Sequence, residues 1–285
     1  DSVTGVRPAA APPPRSTGAR VITAIVAVLL IAGTVTLYLV IAHVHPVTDP
    51  DDMAGILSSY AGMGLLVCLV FATLSGPIIR GLVRLVRALP FAGTAGFLAS
   101  REASARPRLT QALVVPITLA AAAVGIMAAW INELTNVMAA QAGSTEEVNA
   151  PPRQMALLLG GPVIVACVCA SAIVFATASH RRADNALLLV SGVTPGVIRA
   201  KALVEAGIHA VICLICAYGI VVVNDVSMAK ALSAGPVPSV PILAPGWQAA
   251  GVVAVGIALT LLLLLVVTAD GMRRNPVTTI TGGHQ

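Results

Sequence analysis

Glu205 and His209 are the pair of ionisable side chains whose types and spacing best suit a functional site in this chain. They lie four positions apart, which is about one helical turn, at the start of an apolar run. An ionisable residue inside a membrane is a candidate functional site. The alternative is structural, with Glu205 capping a helix or pairing with Arg199 or Lys201 at the membrane edge, where a carboxylate still reaches water. Type and spacing alone leave both interpretations open.

Cys213 and Cys216 form a C-x-x-C pattern with both thiols on one helical face. Such a pair suggests a redox or metal role, but no His or acid in a nearby loop completes a ligand set. Every cysteine of the chain falls in an apolar segment, where a free thiol packs as a small apolar group. We therefore expect packing rather than a disulfide framework or a metal site.

Signatures of catalysis are missing from the sequence. Its two lysines, Lys201 and Lys230, both follow Ala, so neither belongs to the G-x-x-x-x-G-K-[ST] loop that binds nucleotide phosphates. Zinc-protease, serine-hydrolase and dinucleotide-binding motifs are absent too, and the five histidines are scattered. We expect a chain that is not an enzyme, binds no cofactor or metal and cannot hydrolyse ATP alone.

Composition points to a bilayer as the solvent of this chain. Hydrophobic residues make up 57% of its 285 residues and charged residues only 10%, with a mean hydropathy of +0.93. That leaves too little polar surface to cover a soluble globule. Apolar runs of the roughly 20 residues that a membrane helix needs occur six times. These predicted spans are residues 21–42, 56–79, 109–131, 155–178, 204–223 and 247–269.

The distribution of Lys and Arg predicts the orientation of these spans. All but two of the 17 basic residues, Arg153 and Lys230, fall in the segments on one side. Cytoplasmic loops carry such an excess. We therefore predict an all-α, multi-pass protein of the cell membrane with both termini in the cytoplasm. The net charge of +5 then reflects topology, not nucleic-acid binding.

The segments outside the spans differ in composition. Residues 1–19 form a Pro/Ala-rich cytoplasmic linker without an initial Met, so we expect the chain to be the C-terminal part of a longer polypeptide. Residues 20–90 contain two spans and a basic extension. In that extension Arg80, Arg84 and Arg87 share one helical arc opposite apolar residues, which predicts an amphipathic helix on the inner leaflet. Residues 91–108 form a cytoplasmic connector, and residues 271–285 form a cytoplasmic tail.

The segment 181–203, between the fourth and fifth spans, predicts a rigid cytoplasmic knob. A short helix over residues 184–190 should stop at Gly192, because glycine suits the position after a helix C-terminus. Thr194 and Pro195 then provide an N-cap and a first helical residue. The new helix can run without a break into the fifth span.

This segment resembles the cytoplasmic connector of FtsX-like, or MacB-type, permeases of ABC transporters. That connector typically runs from two arginines and an acid through a short apolar helix and a glycine to a helix that reaches a Glu at the membrane edge. The matching residues are Arg181, Arg182, Asp184, Ala186, Leu187, Leu188, Gly192, Thr194, Ile198 and Glu205. The tail from Arg273 is also similar. Leu189 departs from the pattern, since Arg is usual there.

The resemblance covers residues 109–280. It implies that residues 109–270 form a four-span FtsX-like core. The first two spans are similar to the pair that links two such cores in longer members, so the chain resembles a C-terminal half. A second permease half or subunit, identical or not, would complete it.

The resemblance also implies the partner and the cargo. A cytoplasmic ABC ATPase dimer, which binds ATP and Mg²⁺, would grip the coupling residues Arg181, Arg182, Asp184, Leu187, Leu188, Gly192, Thr194, Pro195 and Ile198. The cargo would be amphipathic, such as a lipid, lipopeptide or peptide antibiotic taken from the bilayer lipid. The alternative is a secondary transporter or a structural membrane subunit that works without an ATPase. The apolar middles of all six predicted spans favour the first interpretation over ion coupling.

Overall fold

The computed structural model describes residues 17–43, 50–88, 93–141, 152–233 and 247–273, with several side chains at helix ends left out of the description. Within these ranges every residue is helical except residues 93, 106 and 191–194. The all-α prediction is therefore confirmed for the described residues. The predicted linker up to residue 16 and the tail from residue 274 lie outside them.

Seven helices make up the described structure. They are α1 Thr17–His43, α2 Pro50–Ala88, α3 Thr94–Ala105, α4 Pro107–Gln141, α5 Pro152–Val190, α6 Pro195–Ser233 and α7 Trp247–Arg273. Each of the six predicted spans lies inside one of the long helices. The seventh helix, α3, lies in the connector 91–108, for which the sequence analysis predicted no helix.

The break between α3 and α4 falls at Arg106, which has φ −121° and ψ 59°. The next residue is Pro107, whose ring disfavours helical geometry in the residue before it. Pro107 itself suits the first position of a helix because it has no N–H to leave unbonded. Two backbone hydrogen bonds nevertheless join residues four positions apart at the break, as in an α-helix. The Arg106 N–H donates to the Glu102 carbonyl (3.0 Å), and the Thr110 N–H donates to the Arg106 carbonyl (3.2 Å).

The predicted basic extension is part of α2. It continues α2 through Pro77 to Ala88. Ile79, Val83 and Val86 are buried in the same hydrophobic cluster as Ala99 of α3, whereas Leu85 from the predicted apolar arc is exposed. Part of the extension therefore packs against protein.

Helix α4 is the centre of the bundle and packs against α2, α5, α6 and α7. The Cys213 thiol lies 3.8 Å from the Val114 carbonyl oxygen, and further along both helices Ile126 and Asn224 lie beside Gly64 of α2. Helices α4 and α6 therefore run parallel. Helix α1 lies at the periphery on α2, with most of its apolar side chains exposed.

Four helices contain stretches that are long and apolar enough to cross a membrane: Val21–Val40, Gly62–Val86, Pro107–Ile131 and Pro195–Ser227. In α5 and α7 the described apolar stretches are shorter, Val163–Ala178 and Ala250–Leu263. The α3 helix and the α5–α6 turn lie at the same end of the bundle, which we call the α3 end.

Candidate functional site

The turn between α5 and α6 has the hydrogen bonds of a Schellman motif. The Gly192 N–H donates to the Leu189 carbonyl (3.1 Å) and the Val193 N–H to the Leu188 carbonyl (3.0 Å). Gly192 has φ +90°, a left-handed conformation that glycine adopts without a Cβ clash. The predicted stop at Gly192 is therefore confirmed. The predicted helix over residues 184–190 is the last part of α5, because no residue between the fourth predicted span and Val190 interrupts the helix.

Helix α6 begins at Pro195, as predicted, with the Ile198 N–H donating to the Thr194 carbonyl. Thr194 and Pro195 are exposed, whereas Ile198 is only 2% exposed. Ile198 was predicted as a coupling residue, but its side chain lies in the core and fixes α6 rather than presenting a surface. The surface that the predicted coupling residues present is thus confined to the α5–α6 turn and the helix ends beside it.

The α5 side of the turn is mostly apolar. Leu187 and Val190 are 58% and 68% exposed, and Leu188 is half-buried. Arg181 and Arg182 lie in α5, but their side chains are outside the described residues. The turn therefore presents large apolar side chains on a rigid helix end.

A cleft of about 660 Å³ separates this turn from the start of α3. Gly192, Val193, Thr194 and Val197 line one wall, and Gly93, Thr94, Phe97 and Leu98 line the other. The Arg101 guanidinium lies 5.1 Å from the centroid of the Phe97 ring, within range of a cation–π interaction. The α3 helix thus extends the exposed surface of the turn.

Two ion pairs hold α3 and its junction with α4 to the α5–α6 hairpin. The Lys201 ammonium of α6 pairs with the Glu102 carboxylate of α3, and both side chains are largely buried. The Arg106 guanidinium lies 2.8 Å from the Asp184 carboxylate of α5, and this second pair is partly exposed. Removal of one partner of the Glu102–Lys201 pair would leave a buried charge without compensation, which is strongly destabilising.

The two pairs belong to a larger polar seam. Glu102, Arg106 and Thr110 follow one another at four-residue spacing across the α3–α4 break, and Lys201, Glu205 and His209 do so along α6. Five of these residues line one small cavity together with Ala103 and Leu109: Glu102, Arg106, Thr110, Glu205 and His209. The Thr110 hydroxyl donates to the Ala103 carbonyl (3.5 Å) and links α4 to the end of α3.

Glu205 and His209, the ionisable pair singled out in the sequence, are only 5% and 2% exposed and face this cavity. Both side chains are therefore largely shielded from solvent. Lys201, considered as a partner for Glu205, pairs with Glu102 of α3. Arg199, the other suggested partner, is exposed.

The sequence analysis did not identify Glu102, Arg106, Thr110 and Lys201 as members of a site. A signal was available, since polar residues recur at positions i, i+4 and i+8 in both segments, and this spacing places them on one helical face. What the pattern could not show is that the two faces meet.

Cys213 and Cys216 are buried in the main hydrophobic cluster, which agrees with the packing role expected of them. Among the residues that the structure describes, no group of three His, Cys, Asp or Glu side chains is arranged to hold a metal ion. Comparisons with known proteins give no match: no family model, no curated protein and no solved structure matches this chain.

Proposed function

We propose that this chain is the transmembrane permease subunit of an ABC transporter of the cell membrane. It has six spans and cytoplasmic termini, and a separate cytoplasmic ATPase dimer drives it to move or extract an amphipathic substrate such as a lipid, lipopeptide or peptide antibiotic. The chain itself hydrolyses no ATP. A second permease half or subunit completes the transporter.

The observation that carries this proposal is the α5–α6 hairpin. The last 12 residues of α5 and the first nine residues of α6 lie beyond the predicted spans. At 1.5 Å per residue they extend about 18 Å and about 13 Å from the predicted membrane edge. Their tip is a closed Schellman turn with exposed Leu187 and Val190. A rigid apolar tip outside the bilayer suits a protein partner, since exposed apolar patches mark interaction sites.

The same geometry supports transmission of force from the ATPase. Helix α6 runs without interruption from Pro195 to Ser233, so a displacement of the turn moves the whole helix as a rigid body. The buried Glu102–Lys201 pair carries α3 along with it. Movement of α6 relative to α4 and α2 would then change the packing along the membrane part of the bundle.

Purification of the tagged full-length protein in mild detergent, followed by identification of the proteins bound to it, tests the proposal. We expect a stoichiometric ATPase that is lost from the double variant Leu187→Ser/Val190→Ser. The matched control is Val168→Ser/Phe175→Ser, because these α5 side chains are equally exposed but lie within a predicted span. An intact complex without an ATPase, or equal retention in both variants, would refute the proposal.

Orientation is tested separately with a membrane-impermeant thiol reagent. We expect Ser191→Cys in the turn to be labelled only after the cells are permeabilised, because the distribution of Lys and Arg predicts a cytoplasmic turn. Labelling of intact cells would show that the turn lies outside the cytoplasm and would contradict the predicted orientation.

A secondary transporter or structural subunit remains the alternative. The observation that favours it is the buried cluster with Glu205 and His209, since ion-coupled transporters place ionisable groups in their membrane domains. Absence of an ATPase in the purification would support this alternative.

A further inference from the structure

Four exposed arginines lie near the α3 end on three neighbouring helices. They are Arg80 and Arg84 of α2, Arg101 of α3 and Arg108 of α4, and we call them the arginine patch. Among the residues that the structure describes, no ion pair joins any of the four to a carboxylate. The Glu102 and Asp184 carboxylates at this end are already paired with Lys201 and Arg106. The described part of this surface therefore carries a net positive charge.

A contact between α2 and α4 fixes the heights of these arginines along the bundle. The two helices run in opposite directions, and the Gln111 amide of α4 donates a hydrogen bond to the Ser75 hydroxyl of α2 (2.9 Å). Arg84 lies nine positions beyond Ser75, and Arg101 lies ten positions before Gln111. Because both counts lead toward the α3 end, Arg84 and Arg101 are at about the same height.

The heights of the four arginines match those of lipid headgroups at the predicted membrane edge. Arg80 follows the second predicted span, which ends at residue 79, and Arg108 precedes the third, which begins at residue 109. Arg84 lies five positions beyond the second span, which is about 8 Å along a helix. The headgroup region adds about 5–8 Å to each side of the hydrocarbon core. The arginine patch therefore covers the layer in which phospholipid phosphates lie.

The surface of α2 below the patch is apolar. Leu65, Leu69 and Ile78 are all exposed, and they extend the exposed surface of α2 from Arg80 into the second predicted span. A phospholipid presents its phosphate and its acyl chains in the same order. A soluble acidic protein or a nucleic acid would match the charge of the patch but not the apolar surface that continues from it.

We propose that the arginine patch binds anionic phospholipids of the inner leaflet, whose phosphates accept hydrogen bonds from the guanidinium groups. The planar guanidinium matches phosphate oxygens and forms charge-assisted bonds with them. Anionic lipids of the cytoplasmic leaflet attract basic residues that lie close to the membrane surface. A zwitterionic lipid carries its own ammonium group, which competes with the arginines for the phosphate. The patch therefore selects lipids with a net negative charge. This inference does not depend on whether an ATPase is the partner.

Competition between two lipids for the full-length protein tests the proposal. The purified protein is equilibrated with mixed micelles of a mild detergent and equal amounts of phosphatidylglycerol and phosphatidylcholine, and the lipids that stay bound are counted by native mass spectrometry. We expect phosphatidylglycerol to be retained in excess. Each arginine near an anionic surface strengthens the attraction about fivefold, so Arg84→Gln/Arg101→Gln should lower the excess by up to about 25-fold.

Arg153→Gln/Lys230→Gln is the matched control, because it removes two basic residues at the opposite end of the bundle, from the first turn of α5 and the last turn of α6. It should keep the wild-type excess of phosphatidylglycerol. Arg84→Lys/Arg101→Lys preserves the charge of the patch and should keep most of that excess. No excess in the wild type, an equal loss in the control variant, or displacement of the bound phosphatidylglycerol by soluble glycerol phosphate would each overturn the proposal.

Discussion

Removing the ammonium of Lys201 should release α3 from the bundle. The Lys201 and Glu102 side chains are only 8% and 18% exposed, so the pair lies in the range where loss of one partner costs about 3–5 kcal/mol, because the other charge stays buried without compensation. Lys201→Met keeps the apolar stem of the side chain and removes only the charge. A loss of about 3 kcal/mol corresponds to more than a hundredfold increase in the opened fraction, since each 1.4 kcal/mol is a factor of ten.

Hydrogen exchange of the peptide that contains α3 measures this opened fraction directly. The double variant Glu102→Leu/Lys201→Met removes both charges, and we expect it to be close to the wild type because apolar replacement of a whole buried pair is often neutral or stabilising. Arg199→Met is the matched control, since Arg199 is an exposed cation on the same helix. Unchanged exchange in Lys201→Met, or a double variant as open as the single one, would refute the view that an uncompensated Glu102 charge opens α3.

Three further substitutions test local packing by thermal unfolding in detergent. Gly192→Ala should cost about 1–2 kcal/mol, the penalty for a side chain in the left-handed region. Gly196→Ala, a helical position where the added Cβ would lie 4.0 Å from the Thr194 hydroxyl, an ordinary contact, should cost nothing. Equal effects would contradict the Schellman geometry. Gly64→Ala should cost about 1–3 kcal/mol because its Cβ would lie 2.8 Å from Ile126, and Gly62→Ala, with no neighbour within 4 Å, is its control. Asn224→Leu should raise stability by about 1–3 kcal/mol, because the fully buried amide has no hydrogen-bond partner among the described residues; a loss of stability would mean that Asn224 has a polar partner.

Helix positions and the α5–α6 break could be predicted because their signals are local. Six apolar runs give six long helices, and Gly192 with Pro195 marks the end of one helix and the start of the next. Glycine and proline act through their own backbone geometry. Such signals need no knowledge of which helices are neighbours.

Two features could not be predicted because they depend on which faces meet. The apolar arc of the α2 extension was assigned to the membrane surface, yet Ile79 and Val86 pack in the protein core. Periodicity identifies an apolar face but does not distinguish a lipid surface from another helix. The pair of Glu102 and Lys201 likewise joins residues far apart in the chain, and Lys201 has a nearer acid in Glu205 that local reasoning favours.

The polar seam changes how motion of the hairpin would act on the bundle. Without these ion pairs, a partner that binds the exposed tip of the α5–α6 hairpin could move α6 and leave α3 behind. Because Lys201 pairs with Glu102 and Arg106 pairs with Asp184, the ends of α5, α3 and α6 move together while these pairs stay formed. The weakest part of this unit is then the α3–α4 break at Arg106, where a non-helical residue separates the helices. Displacement of the hairpin should therefore bend the chain at Arg106 and Pro107. The ion pairs should first carry α3 with α6, and α4 should move only afterwards.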